Sequence, residues 1–271
     1  KILFAALAAA TALGASAEAP LWLRDARISP DGKTIVFTYK GDIFTVPSAG
    51  GKAVRLTSQE SYEQMPVWSP DSNTIAFASD RYGNFDIFTV AADGAGQWKR
   101  LTFNSSNELP EAFTPDGKAV LFSAAIQDPA SSALFPTGRM TEVYSVGTDA
   151  SAPRQLLATP AQAISWAADG KSFLYQDVKG FEDTWRKHHR SSVTRNIWRY
   201  DLATGHHTEL IDVPGENLNP IDAGDEIYFL SERGKDKSIN VYRAPKTDPS
   251  KAERVTGFNR HPVPVSYTHL T

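Results

Sequence analysis

The sequence predicts an all-β fold, a β-propeller of four-stranded blades, and three observations carry that prediction. A turn of the Ser-Pro-Asp-Gly type recurs along the chain, each copy is followed by two further signals in a fixed order, and the segments between turns are too short for helices of useful length. Five blades are expected, with the start of a sixth, so that the ring is incomplete.

The first signal is the turn with the strand behind it. Ser29-Pro30-Asp31-Gly32-Lys33 leads into Thr34-Ile35-Val36-Phe37, and Ser69-Pro70-Asp71-Ser72-Asn73 into Thr74-Ile75-Ala76-Phe77. Thr114-Pro115-Asp116-Gly117-Lys118 and Ala167-Ala168-Asp169-Gly170-Lys171 open two more copies, and Asp222-Ala223-Gly224-Asp225 is a degraded fifth. Proline presets φ, aspartate caps the turn locally and glycine tolerates positive φ, so each copy joins two antiparallel strands. The second signal is a short apolar strand beginning at Asp42, Asp86, Glu142, Asn196 and Asn240. The third closes the unit: Arg55-Leu56-Thr57, Arg100-Leu101-Thr102, Gln155-Leu156-Leu157, Glu209-Leu210-Ile211 and Arg254-Val255-Thr256. A four-stranded sheet of this size cannot hide both faces alone, so repeats of roughly 40 to 55 residues imply blades stacked around an axis. Blades three and four are lengthened at residues 127–140 and 179–195, between their second and third strands, and such additions map to loops on one face.

The ends read differently from the repeat. Lys1, the apolar run 2–14 and the small-residue exit Ala15-Ser16-Ala17 before Glu18 have the form of a secretory signal, which predicts a periplasmic or secreted protein. The run falls short of the about 20 apolar residues that a membrane span needs. The propeller is expected over residues 18–264. Residues 265–271 break the pattern and match one frame of a transposon-end adapter used in sequencing libraries, so they are expected to be an artefact and the natural chain to continue.

Composition narrows the chemistry. The 271 residues are 41% hydrophobic with a formal net charge of -3, which gives no general grip on nucleic acid or an anionic membrane. With no cysteine there is no disulfide, thiolate metal site or cysteine nucleophile. No GxSxG, HExxH, P-loop, GxGxxG or SxxK motif occurs, so no catalytic residue is assigned, and no cofactor or metal is expected. His188-His189 and His206-His207 are the paired histidines, and neighbouring strand residues point to opposite faces, so solvated loops are the expectation for both pairs. Asp31, Asp71, Asp116 and Asp169 are expected to cap turns rather than to bind calcium. Trp68, Trp166 and Trp198 are expected to pack blades. The basic, aromatic run Trp185, Arg186, Lys187, His188, His189 and Arg190, with Arg195 beyond it, is the candidate contact for a peptide carboxylate or another domain, because arginine forks suit carboxylates.

Pro66-Val67-Trp68-Ser69-Pro70-Asp71, continuing through Ile75-Ala76-Phe77-Ala78-Ser79-Asp80, resembles the WD-like repeat shared by the Tol-system periplasmic protein, prolyl-oligopeptidase relatives and tricorn proteases. Pro20-Leu21-Trp22-Leu23-Arg24, residues 79–86, Ala133-Leu134-Phe135-Pro136-Thr137-Gly138-Arg139 and Trp185-Arg186-Lys187-His188-His189 resemble, more narrowly, the first propeller of exported bacterial tricorn-like peptidases. That resemblance implies a non-catalytic propeller that guides or gates peptides or unfolded protein, followed in the same chain by a PDZ module and a tail-specific serine peptidase domain. The alternative is a periplasmic, Tol-system-like binding propeller without activity, although the repeat here begins almost directly after the signal, without the α/β domain that protein carries. A third option is an oligopeptidase relative with an α/β-hydrolase domain downstream.

Overall fold

The structure, a computed structural model, describes residues 22–126, 140–180 and 191–259. Twenty strands form five antiparallel sheets, each built from four strands consecutive in sequence. The first blade holds β1 (Leu23–Ile28), β2 (Thr34–Tyr39), β3 (Asp42–Pro47) and β4 (Val54–Arg55); the second holds β5 (Glu63–Trp68), β6 (Thr74–Ser79), β7 (Asp86–Ala91) and β8 (Lys99–Arg100). The third holds β9 (Glu108–Phe113), β10 (Ala119–Ala124), β11 (Glu142–Gly147) and β12 (Arg154–Leu157). The fourth holds β13 (Ala161–Trp166), β14 (Ser172–Asp177), β15 (Ile197–Asp201) and β16 (His207–Ile211), and the fifth β17 (Asn217–Ala223), β18 (Glu226–Ser231), β19 (Asn240–Pro245) and β20 (Glu253–Arg254). This is the propeller predicted from the repeat, with innermost strands packing in succession, β5 on β9, β9 on β13 and β13 on β17.

The turn chemistry explains each blade's first hairpin. Asp31 Oδ1 accepts from Ser29 Oγ at 2.5 Å and from the Lys33 N–H, while the Thr34 N–H reaches Ser29 Oγ. Asp71 and Asp116 repeat the arrangement with Ser69 and Thr114, and Asp169 receives the Lys171 N–H at 3.0 Å. These bonds favour the ionised carboxylate, and hydrogen bonds from Ser29, Ser69 and Thr114 hold Asp31, Asp71 and Asp116 below the usual carboxylate range. The repeated aspartates are turn caps, as the sequence predicts. The third position after each proline-type start is left-handed, φ 72° at Gly32 and 68° at Gly117, and Ser72 accepts the same conformation at 62°.

The other two signals join at the opposite end of each blade. Asp42 meets Arg55 and Asp86 meets Arg100, both at 2.8 Å; Glu142 accepts from Gln155, and Asn196 donates to Glu209. In blade five Asn240 instead accepts from the Thr256 hydroxyl, and Arg254 pairs with Asp236. Thr57 and Thr102 then take the N–H of Ile43 and Ile87 on their hydroxyls, so the short outer strand is fixed by side chains as much as by its ladder.

Burial is concentrated between blades rather than within them. Val36 and Ile43 of the first blade pack against Ile75, Phe77, Phe88 and Val90 of the second, and Val67, Ala76 and Ile87 of the second against Val120, Phe122 and Tyr144 of the third. Leu121 and Val143 meet Phe173 and Tyr175, and Leu174 and Ile197 meet Ile227, Phe229 and Tyr242, at the next two seams. A middle blade must therefore be apolar on both faces, which is why β6 and β10 read as continuous apolar runs. Cross-strand aromatic pairs recur in register: Phe37 with Phe44, Phe77 with Phe88, Phe122 with Tyr144 and Phe229 with Tyr242, ring centroids 5.7 to 6.1 Å apart.

Candidate functional site

Innermost strands bend before they reach the hub. In four blades the register shifts at a left-handed, non-glycine residue: Asp25, Met65, Ala163 and Asn219, with φ between 47° and 54°. The aligned residue of the third blade is Pro110, whose ring forbids positive φ, and there the extra residue is Glu111 instead. Bulges free backbone donors, and side chains of a preceding blade collect them. Met65 N–H donates to Asp25 Oδ2 at 3.2 Å, Ala163 N–H to Glu111 Oε2 at 2.9 Å and Asn219 N–H to Gln176 Oε1 at 2.9 Å.

Beyond the bulges the strand ends enclose a cavity of about 320 Å³ to which all five blades contribute. Ile28, Val67, Trp68, Phe113, Ile164, Trp166 and Ile221 give it apolar walls, and Pro30, Pro70 and Pro115 surround it from the first hairpin turns. Arg27, Glu111 and Asp222 are its charged groups. Arg27 Nη1 donates to the Glu111 carbonyl at 3.1 Å across the hub, and Trp68 Nε1 donates to the Arg27 carbonyl at 3.1 Å. Burial pushes the Glu111 carboxyl upward, with the Arg27 charge acting against that shift. Trp166 Nε1 is buried without an acceptor among the described residues.

Antiparallel pairing puts this cavity and the strand ends that flank the blade-lengthening insertions at opposite ends of the propeller. The cavity lies where the first strand of each blade turns into the second, and the insertions lie where the second turns into the third, between β10 and β11 and between β14 and β15. Residues 127–139 and 181–190 fall outside the described residues. The candidate contact formed by Trp185, Arg186, Lys187, His188, His189 and Arg190 is therefore not placed here. Its neighbour Arg195 is described, and its guanidinium reaches Glu216 Oε1 at 3.4 Å.

The histidine pair on the described part of the chain departs from the expected solvated loop. His207 opens β16, its Nδ1 lies 2.8 Å from Tyr175 Oη and its ring sits 4.8 Å from that of Tyr200, because strand alternation turns it inward while His206 remains exposed. Burial lowers the His207 pKa. Of the three tryptophans read as blade packing, Trp198 donates to Asp177 Oδ2 at 3.1 Å, whereas Trp68 and Trp166 pack and also line the hub. Arg27 and Glu111 were missed in the sequence; for Glu111 a signal was present, since it puts a charge into an inner strand, β9, whose other residues are mostly apolar, whereas β1 also carries Arg24 and Asp25 and nothing marks Arg27 out.

Comparisons with known proteins agree with this architecture. Residues 20–268 match the family model described as the tricorn protease N-terminal beta propeller domain. Tricorn protease homolog 1 of Streptomyces coelicolor is 26% identical over 242 residues, covering 89% of this chain and 22% of that protein. Among solved structures, the crystal structure of the tricorn protease aligns with a TM-score of 0.71 at 23% identity, over 89% of this chain and 23% of that one. The putative TolB of Agrobacterium tumefaciens aligns at 0.67 with 16% identity, over 86% and 79% of the two chains, a likeness of fold alone. The chain thus spans under a quarter of the tricorn relatives it matches. With that family model matched over most of its length, the chain belongs to the family of tricorn protease N-terminal β-propeller domains.

Proposed function

We propose that this propeller is the non-catalytic part of an exported, tricorn-like serine peptidase and that it guides or gates peptide substrates for a peptidase domain elsewhere in the parent chain. The observation that carries the reading is the hub cavity. It has the volume of a small-ligand site and aromatic and aliphatic walls that suit apolar side chains. The secretory form of residues 1–17 supports export to the periplasm or beyond. Unstructured peptides and unfolded protein are the expected partners, along with PDZ and peptidase domains of the parent chain. The basic segment 185–190 is a second proposed contact, one that would favour peptides ending in a free carboxylate.

Titrating the protein with a short, labelled, unstructured peptide rich in Leu and Phe tests this. Binding is expected, and Ile221→Arg, which sets a charge inside the cavity, should abolish it. Binding indifferent to Ile221→Arg but lost in Arg186→Ala/Arg190→Ala would move the contact to the basic segment. No peptide binding by either route would leave a protein-docking propeller of the Tol-system kind. The chain alone is expected to hydrolyse no peptide.

A further inference from the structure

Glu63 and Glu108 hold the same place in successive blades, at the head of the innermost strand, and both are fully buried. Register fixes the equivalence, since Glu63 pairs across from Ser79 and Glu108 from Ala124, and each donates its backbone N–H to the preceding blade, at Gly41 and Phe85. Glu63 is compensated by its own blade, where Oε1 accepts from Ser79 Oγ at 3.0 Å and from Arg81 Nη2 at 3.2 Å. In the third blade these two donors are replaced by Ala124 and Ile126.

What Glu108 faces lies on the second blade. Asp86, at the head of β7, is also fully buried, and Arg100 on β8 brings Nη2 to 2.8 Å from Asp86 Oδ2. Strands β5 and β6, also packed on β9, bring Glu63 and Arg81, which are already paired with each other, and Ala124 on β10 brings no charge. Neither Glu108 oxygen makes a hydrogen bond of normal geometry among the described residues, and the Thr102 hydroxyl is the donor beside it. Glu108 and Asp86 are thus two buried carboxylates near one guanidinium whose 2.8 Å contact goes to Asp86, and such a pair retains a proton. Burial, reinforced by the Asp86 charge and opposed by Thr102 and Arg100, pushes Glu108 up to about 7.

We propose that Glu108, Asp86 and Arg100 form a proton-operated joint between the second and third blades. With Glu108 protonated the seam is closed; on ionisation one proton leaves to solvent, a second negative charge stands against Asp86, and the seam opens at the end that carries the insertions. The moving part is the segment before β9. Asn84 holds it through the carbonyls of Asn104 and Ser106 at 2.9 and 2.8 Å, and Ser106 Oγ donates to the Ala125 carbonyl at 2.9 Å, one residue before Ile126 and the insertion at 127–139. Opening this joint would therefore shift the root of that insertion.

Amide hydrogen exchange and equilibrium unfolding of the full chain between pH 5 and 8 test the joint. Exchange at residues 104–109 should accelerate with pH beyond the intrinsic chemical rate, and the folded-to-unfolded ratio of the wild type should fall, relative to Glu108→Gln, on the order of a hundredfold across that range. The double variant Ala124→Ser/Ile126→Arg, which transplants the second blade's compensation, should remove the response while leaving Glu108 in place. The joint is refuted if wild type and Glu108→Gln share one pH profile. Should Glu108→Gln not fold, an unchanged pH response in the double variant has the same force.

Discussion

Glu63 heads the inner strand of the second blade beside an arginine of its own sheet, whereas Glu108 heads that of the third beside an aspartate of its neighbour's. Both are fully buried and both occupy one position of one repeat. The chemistry of a repeated position is thus set by the side chain two residues past the end of the adjoining strand, Arg81 in one blade and Ile126 in the next. Blade five shows a third solution. There Asn217 replaces the acid, accepts from Ser231 Oγ at 2.9 Å and leaves Arg233 to lie over Phe229 and Tyr242. Removing the charge removes the need for a counter-ion.

The comparison breaks most severely at Arg81. Arg81→Ala would leave Glu63 buried and unpaired and strip a guanidinium lying 4.4 and 4.3 Å from the Phe88 and Trp98 ring centres, so denaturant unfolding at neutral pH should show a loss of about 3 to 5 kcal/mol. Glu108→Gln should act in the opposite direction. A carboxyl whose folded pKa is raised supports the folded state fully below its unfolded value of 4.5 and ceases to do so as pH rises toward about 7. The variant should therefore match the wild type near pH 4.5 and exceed it by up to about 3 kcal/mol at pH 8. Asp86→Asn sharpens the point, because Arg100 then serves Glu108 alone. The drop in stability should shrink and move to lower pH without vanishing, because burial, the larger cause, remains; the same unfolding series reads it. The smallest effect is expected from Asp116→Ala at the far end of the third blade, about 0.5 kcal/mol. Asp116 is held below the usual range, so its contribution is present above pH 3.8 and fades only as pH falls. A thermal scan at pH 3 and 6 separates this acid-side behaviour from the neutral-side behaviour of Glu108.

The blades were legible in the sequence because their turns are local chemistry. Ser69, Asp71 and Asn73 lie within five residues and bond to one another, with Pro70 setting φ between them, so the hairpin is written where it forms. The matching of Asp42 with Arg55, and of Asp86 with Arg100, is also visible once repeats are aligned. The hub cavity was not legible, since each blade contributes only a few wall residues separated by forty or more positions and no short motif marks them. The bulges escaped for a different reason: Asp25, Met65, Ala163 and Asn219 are left-handed without being glycine, and that conformation is enforced by packing and by captured N–H groups, not by propensity. The acid pair needed both alignments at once, and what distinguishes Glu108 is the ordinary alanine and isoleucine that stand where Glu63 finds its serine and arginine.

Each apolar cluster in this molecule belongs to two neighbouring sheets and to no sheet alone. Cohesion is therefore a property of junctions, and the molecule behaves as a short one-dimensional series whose least stable link decides where it parts. A change of charge at a single link can part the stack there while the sheets on either side keep their internal ladders. Deleting a middle sheet, by contrast, strands two apolar faces that were never shaped to meet.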